Sequence, residues 1–410
     1  MDMCTLLRTI CLAVAATVAA AAQDGLPHYR IDVDAATKGA LTLSELAESV
    51  EYVRLETADR CLLGNVYRFD VSENYVIALS REAGGCFLFS RRTGRFVAAI
   101  GRTGQGPGEY ASTPDNCMID EKNQRAVVVV RNGREDPVMM YYSLAGKYTG
   151  SEAFANPAFP LPVASRSLGD GRVLLMYFNL SEDLAFTYEI RAGGRVVRQA
   201  VGAPARGSFA PGFFIMPHFS SYSHAGRTFV KSGLLNDTVY AIDGASAVVP
   251  AYTLSYGRRE VTVADLERRV HDREAGFAQL MPEYLFGTER FLIASFYLER
   301  KRIFRYLDRA TGRTYRFDSP EGIPNDYDGG PDFVPQAQYG RRLVAFCNAF
   351  SFEEQRSAGK SRPARGPEAA VRAFRKMYDS LDAEDNPVVV IVTVREQGAA
   401  SSRAALPCDD

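Results

Sequence analysis

The sequence predicts an all-β fold, a six-bladed β-propeller, and three observations carry the prediction. One unit recurs along the chain at about 50 residues: strand, polar turn, apolar strand, loop, strand, glycine turn, strand. That is the period of four-stranded blades with long connections. The polar turn of every unit is followed by a strongly apolar run: YVIALS (75–80), RAVVVV (125–130), RVLLMYF (172–178), RTFVKS (227–232), RFLIASF (290–296) and RRLVAFCN (341–348). The last unit lacks an outer strand, while an unmatched strand, EYVRLET (51–57), stands near the other end of the chain. Joining the two in one blade closes the ring and leaves no open sheet edge.

The elements follow in order. Residues 1–22 read as an export signal, with Arg8 as the basic start, Ile10 to Val18 as a short apolar core and Ala20 and Ala22 as the cleavage motif. Cleavage is expected after Ala22. Cys11 is a weak lipid-attachment candidate, because Arg8-Thr9-Ile10 lacks the small residues such a site wants. No later run is long enough to span a bilayer. A lead-in over 23–50 precedes the propeller at 51–396. Five complete blades are expected near 65–101, 117–152, 164–200, 219–256 and 284–318. The sixth starts at 333–348 and resumes with VVVIVTV at 388–394. Two helical insertions are expected, at about 258–283 and 350–386. In the first, Val263, Leu266, Val270, Phe277 and Leu280 share a face behind a Thr262 cap; in the second, Val371, Phe374, Met377, Tyr378 and Leu381 do. Ahead of the second helix SFEEQRSAGKSRPARG (351–366) reads as polar, interrupted and mobile, and 397–410 as a disordered tail.

Composition narrows the function. The formal net charge is −1 over 410 residues, so no global field draws nucleic acid or anionic lipid, and a polyanion would need a local patch. Of seven cysteines, Cys4 and Cys11 leave with the signal; Cys61, Cys86, Cys117, Cys347 and Cys408 remain, at no metal-binding spacing. At most two disulfides are available, and buried free thiols are the competing reading. In a propeller the b–c loops and the links between blades emerge on one face. The long segments 153–163, 201–218, 257–283, 319–332 and 349–387 all belong to that face, which is therefore where a ligand or partner is expected.

GRTGQGPGEY (101–110) links blades 1 and 2 on the same face. A phosphate loop needs Lys and Ser/Thr at a helix start after its glycines, and here an acid follows between two strands. Its glycines are expected to serve turns and close backbone approach, with Glu109 accepting backbone N–H groups across the junction. There is no G-x-S-x-G and no H-E-x-x-H, and the histidines number four: His28, His218, His224 and His271. NDYDGGPD (325–332) gathers Asp326, Asp328 and Asp332 without the spacing of a calcium loop. The acids Glu109, Asp136, Asp183, Asp237 and Glu299 offer a glycosidase-like pairing only if they converge. Tyr141, Tyr177, Phe178, Phe296 and Tyr297 are rings for stacking or, more commonly, core. The candidate binding residues are Arg102, Gln105, Glu109, Tyr110, Arg131, Arg134, Asp136, Asp183, His218, Asn236, Asp237 and Glu299. No catalytic residue, metal or cofactor is expected. The reading is a monomeric binding protein for a protein, peptide or glycan, with the cell envelope as the candidate source, and with no nucleic-acid partner. The alternative is a carbohydrate lyase or hydrolase working through clustered acids at the channel mouth.

Several motifs together resemble one family. IGRTGQGPGEY after FSRRTGRFVAA, LNDTVYAI (235–242) followed by AYTLSYG, EDNPVVVIVTV (384–394) and ESVEYVRLET (48–57) resemble the hallmarks of six-bladed propellers abundant in Bacteroides-type bacteria, relatives of the NHL-type propellers. The resemblance implies export to the periplasm or cell surface and a binding or scaffolding role. It implies no catalytic residues. Many such proteins carry a lipid-attachment cysteine, from which this sequence departs.

Overall fold

The computed structural model describes residues 25–130, 137–153, 162–178, 186–202, 219–233, 235–272, 279–320, 322–357 and 362–396. The lead-in holds β1 (His28–Arg30), α1 (Leu43–Leu46) and β2 (Ala47–Arg54). Blade 1 is β3 (Val66–Val71), β4 (Tyr75–Ser80), β5 (Gly85–Ser90) and β6 (Phe96–Ala99). Blade 2 is β7 (Asn116–Asp120), β8 (Arg125–Val130), β9 (Val138–Ser143) and β10 (Tyr148–Ala153). Blade 3 is β11 (Pro162–Gly169), β12 (Arg172–Phe178), β13 (Phe186–Ala192) and β14 (Arg195–Val201). Blade 4 is β15 (Phe219–His224), β16 (Arg227–Ser232), β17 (Thr238–Ile242) and β18 (Val248–Ser255). After α2 (Val263–His271), blade 5 is β19 (Met281–Gly287), β20 (Phe291–Leu298), β21 (Lys301–Asp308) and β22 (Arg313–Arg316). Blade 6 opens with β23 (Ala337–Tyr339) and β24 (Arg342–Cys347), passes through α3 (Ala349–Ser357) and α4 (Glu368–Asp379), and resumes with β25 (Val388–Val394).

The closure read from the sequence is present. Blade 6 has the order β2-β25-β24-β23, and β2 pairs antiparallel with β25 from Ala47↔Val394 to Arg54↔Val388. Packing shows why the apolar strands are continuous runs of Val, Ile and Leu. Each blade is covered on both faces, so successive side chains feed two different neighbours. In β8, Val128 and Val130 join the buried cluster shared with blade 1, while Val127 and Val129 join the one shared with blade 3. Six such clusters fill the six junctions, including the seam where blade 6 (Val344, Val389, Ile391) meets blade 1 (Val71, Val76, Phe89).

Three features differ from the sequence reading. The lead-in is a strap on the outer rim. Its β1 adds to blade 4 as a fifth strand, parallel to β18, and its Thr37 and Gly39 then exchange backbone hydrogen bonds with Arg316 of blade 5. Ile31, Val33, Leu41, Leu43 and Leu46 are buried along the way, which holds the strap down. The first insertion helix is short. Thr262 caps it in a reciprocal capping box with Asp265, as its sequence predicts, but it ends at His271; 273–278 lie outside the described residues, and Met281 already pairs in blade 5. The third difference is that the stretch read as irregular opens with α3, because Phe352 is an anchor, buried beside the rings of Tyr52 and Tyr378.

Candidate functional site

The glycine-rich link is a filled joint. Gly101 (φ 69°) and Gly108 (φ 77°) take left-handed conformations, and each lies against an aromatic side chain. A Cβ at Gly101 would stand 2.5 Å from Tyr110 Cε1, and one at Gly108 would stand 2.6 Å from Tyr148 Cβ, so only glycine fits. Tyr110 has no exposed surface and donates its hydroxyl to the Ile100 carbonyl. Glu109 accepts the Gly106 N–H at 2.9 Å and the Arg102 Nε at 2.6 Å, and these two hold its carboxyl below the ordinary carboxylate range. Its N–H partner belongs to its own loop, not to the neighbouring blade. Arg102 and Gln105 are exposed.

The remaining candidates are spread out. Asn236 is buried, where its Oδ1 accepts the Thr238 N–H at 2.8 Å and its carbonyl receives Lys231 Nζ. Asp237 is half-buried near Tyr256 in blade 4, whereas Glu299 is exposed on the β20–β21 turn of blade 5 at φ 51°. Arg131, Arg134, Asp136, Asp183 and His218 lie outside the described residues. Among the described candidates the structure groups Arg102, Gln105, Glu109 and Tyr110, and Asn236 with Asp237, which sequence adjacency already joined. Of the candidate stacking rings, Tyr177 and Phe296 are core, and Tyr297 is exposed beneath the Arg302 guanidinium.

The Asp-rich loop is a clasp whose three carboxylates are taken up by hydrogen bonds within the fold. Asp326 accepts from the Ser44 N–H at 2.9 Å and the Ser44 hydroxyl at 2.7 Å, Asp328 from Tyr52 Oη at 3.1 Å and Asn325 Nδ2 at 2.8 Å, and Asp332 from the Asn325 N–H at 2.9 Å. The loop thereby ties the lead-in to blade 6. No group of three His, Cys, Asp or Glu converges in a metal-binding arrangement among the described residues.

The axis carries a polar network that no motif announces. Arg166 on β11 donates to the Ser221 Oγ at 2.6 Å and carbonyl at 3.2 Å, to Ser223 Oγ at 3.2 Å and, across the ring, to the Gln338 carbonyl at 2.8 Å. Its guanidinium lies 5.4 Å from the Tyr339 ring centroid. Tyr339 hydrogen-bonds Asp70, whose carboxylate also takes the Ile119 N–H at 2.8 Å. Gln338 exchanges bonds with Gly287 at 2.7 and 3.0 Å. All six inner strands are thus joined at the axis. Burial pushes the Asp70 carboxyl up, the Tyr339 phenol well up and the Arg166 guanidinium down.

Open concavities lie instead at the seam between blades 6 and 1. On the insertion-bearing face, a groove of about 710 Å³ runs between the 62–65 link, the 82–83 loop, the start of α3 and residues 383–387. Two large apolar side chains in it stand in solvent, Leu62 (51% exposed) and Phe350 (56%), beside the acids Glu82 and Glu384. Nothing in the sequence singled out these residues, since isolated surface Leu and Phe carry no signal.

The fold and its filled axis define a six-bladed β-propeller, with open grooves among the described residues at the closing seam. The chain matches the family described as "Domain of unknown function (DUF4934)" over residues 28–393, and it belongs to that family. No curated protein matches it. Among solved structures, it is similar to a Bacteroides fragilis NCTC 9343 protein described as a "Putative exported protein", with 18% identity, a TM-score of 0.62, and coverage of 90% of this chain and 99% of that one. At that identity the likeness is one of fold. The Cps50 (Swd1) β-propeller domain of Myceliophteria thermophila shares 8% identity at a TM-score of 0.41, over 69% of this chain and 80% of that one. Among the described residues no helix is long and apolar enough to cross a membrane.

Proposed function

We propose that this chain is an exported, non-enzymatic propeller that binds a segment of a protein partner on its insertion-bearing face, in the groove beside Leu62 and Phe350. The observation that carries the reading is the pair of large apolar side chains, each more than half exposed, lining one concavity on the face of the long loops. Such surface is costly to leave wet and marks an interaction site when it is grouped. The acids Glu82 and Glu384 at its edge match a partner segment that sets Lys or Arg beside an aromatic or aliphatic residue. Export rests on the signal-like first 22 residues, with cleavage after Ala22, and is in keeping with the description of the B. fragilis protein. Kinship with NHL-type propellers rests on the quoted motifs alone.

The test is a peptide array of apolar–basic segments probed with residues 23–410, followed by titration of the best binder. Covering the exposed halves of two such side chains contributes about 2 kcal/mol, so L62D/F350D is expected to weaken binding roughly thirtyfold. R102E should leave it unchanged. Equal affinity in L62D/F350D sinks the proposal.

A further inference from the structure

A second concavity lies on the outer rim of the same seam. One groove of about 770 Å³ passes between the 54–60 link and the blade 1 turn at 93–96. Another of about 590 Å³ passes between β2, α4 and the 92–93 turn. They meet at Arg54 and Thr93 and form one open trough.

Its lining has one sign of charge in excess. Five cations, Arg54, Arg60, Arg92, Arg95 and Lys376, face two acids, Glu56 and Asp385. Both acids are already paired: Asp385 with Arg54 at 2.7 Å, and Glu56 with Arg60. Arg54 is fixed further by Ser380 Oγ at 2.8 Å, and the Arg60 guanidinium sits 5.6 Å from the Phe96 ring centroid. Arg92, Arg95 and Lys376 are exposed, and no ion pair compensates them among the described residues. In a chain of net charge −1, this trough is the local patch that a polyanion requires. Same-sign charges in a concave wall focus the field on whatever lies in the cleft.

The shape selects among anions. The uncompensated cations are spread along both grooves, Arg95 in one, Arg92 and Lys376 in the other, so the fitting ligand repeats its charge along a chain. An extended peptide would bind best by adding to a strand edge. The chain leaving β2 is not free for that beside the trough, because the blade 1 turn closes on it: the Glu56 N–H already donates to the Gly94 carbonyl at 2.8 Å, and Gly94 lies against the Arg54 carbonyl. We propose that the trough between Arg60 and Lys376 binds an acidic oligosaccharide through its carboxylate or sulfate groups. This site is separate from the Leu62–Phe350 groove and stands without it.

The experiment is affinity electrophoresis of residues 23–410 through gels holding polygalacturonate (carboxylate), chondroitin sulfate (carboxylate and sulfate) or dextran (neutral), with polyglutamate as the acidic peptide. The expected result is retardation by at least one acidic polysaccharide, none by dextran, and about tenfold weaker binding in R92E/R95E/K376E, whose exposed side chains leave the core untouched. Loss of binding in polygalacturonate or in chondroitin sulfate alone separates the two anionic groups. Absence of retardation by both polymers overturns the proposal, as does retardation unchanged in the triple variant. Equal retardation by polyglutamate also overturns it, since the trough would then read charge without reading sugar. L62D/F350D is expected to behave as the parent in these gels, so failure here leaves the partner-binding groove untouched.

Discussion

Replacing Arg166 with Met tests whether the axial network holds the ring. The substitution removes four hydrogen bonds, to Ser221 Oγ, the Ser221 carbonyl, Ser223 Oγ and the Gln338 carbonyl, and withdraws the positive charge near Asp70. It also relieves the burial of a guanidinium whose Nε has no hydrogen-bond partner. Hydrogen bonds to a charged group are worth about 1.5–3 kcal/mol each, while desolvating the ion costs several kcal/mol. Removing one member of a buried charged pair usually leaves a net loss of about 3–5 kcal/mol, and the unpaired Nε argues for the lower end. With an m-value of about 3 kcal/mol/M, a 3 kcal/mol loss moves the urea midpoint down by about 1 M. The chain has no Trp, so far-UV circular dichroism or tyrosine fluorescence follows the transition. The pH dependence gives a second, independent sign. Burial raises the Asp70 carboxyl in the folded state, so the folded chain keeps that proton longer than the unfolded one. Stability then falls as pH rises from the ordinary carboxylate range through the raised value, and is level above it. Arg166 draws the carboxyl down, so R166M should extend that falling window to higher pH, and D70N should abolish it. A midpoint in R166M equal to the parent's or higher refutes the reasoning: the ion would then cost as much as its bonds return.

Other outcomes follow from the same structure. G101A places a Cβ 2.5 Å from Tyr110 Cε1 and 2.7 Å from Tyr142 Oη at a φ of 69°, and should lower stability by about 1–3 kcal/mol in urea titration; a neutral effect would mean the joint is loose. In residues 23–410 carrying C408S, an aromatic disulfide reagent should find no fast-reacting thiol, and four after unfolding, because Cys61, Cys86 and Cys117 are buried and burial pushes the Cys347 thiol up to about 12. One rapid equivalent in the native state contradicts this. Burial, then Arg309, pushes the His224 imidazole below its ordinary range, so the unfolded chain takes that proton first and stability is lost as pH falls through the window; H224Q should flatten the slope there, and a normal imidazole value by proton NMR titration would remove the basis for it.

The blades were legible because their physics is repetitive. A strand covered on both faces must be apolar at every position, and YVIALS, RAVVVV and VVVIVTV say so without reference to anything distant. The closing strand and the Thr262 cap were legible for similar local reasons. The strap was not. HYR is only three residues long, too short for a pattern of its own, and the side chains that help to seat it, His28 on Thr253 and Ser255 and Tyr29 on the Tyr252 ring, find their partners more than 200 residues away. The axial network was equally silent: Asp70, Arg166 and Gln338 are single polar residues on strands, and their meeting depends on the curvature of the whole ring. The α3 helix was hidden because Phe352 finds its partners, Tyr52 and Tyr378, far off in the chain.

The contrast between two junctions explains why the loudest motif marks no open concavity. At the junction of blades 1 and 2, backbone and rings approach so closely that residues 101 and 108 are restricted to glycine, and Tyr110 fills what space remains. A demand on the backbone restricts residue type, so it is visible in the sequence. At the seam of blades 6 and 1, the blade is assembled from both ends of the chain and interrupted by α3 and α4. The inner part of that junction is sealed by Val, Ile and Phe like the others. Its outer part is met by a link, a turn and a helix; Gly64 (φ 61°) and Gly94 (φ 70°) make close turns there too, but the grooves they leave are lined mainly by Arg, Thr, Leu and Phe side chains, on which the fold makes no such backbone demand. Such surfaces restrict residue type only through the ligand they meet, and one sequence read alone carries no trace of that ligand. In this fold the glycine-rich link is a filled joint, and among the described residues the seam closed by β2 is where open grooves remain.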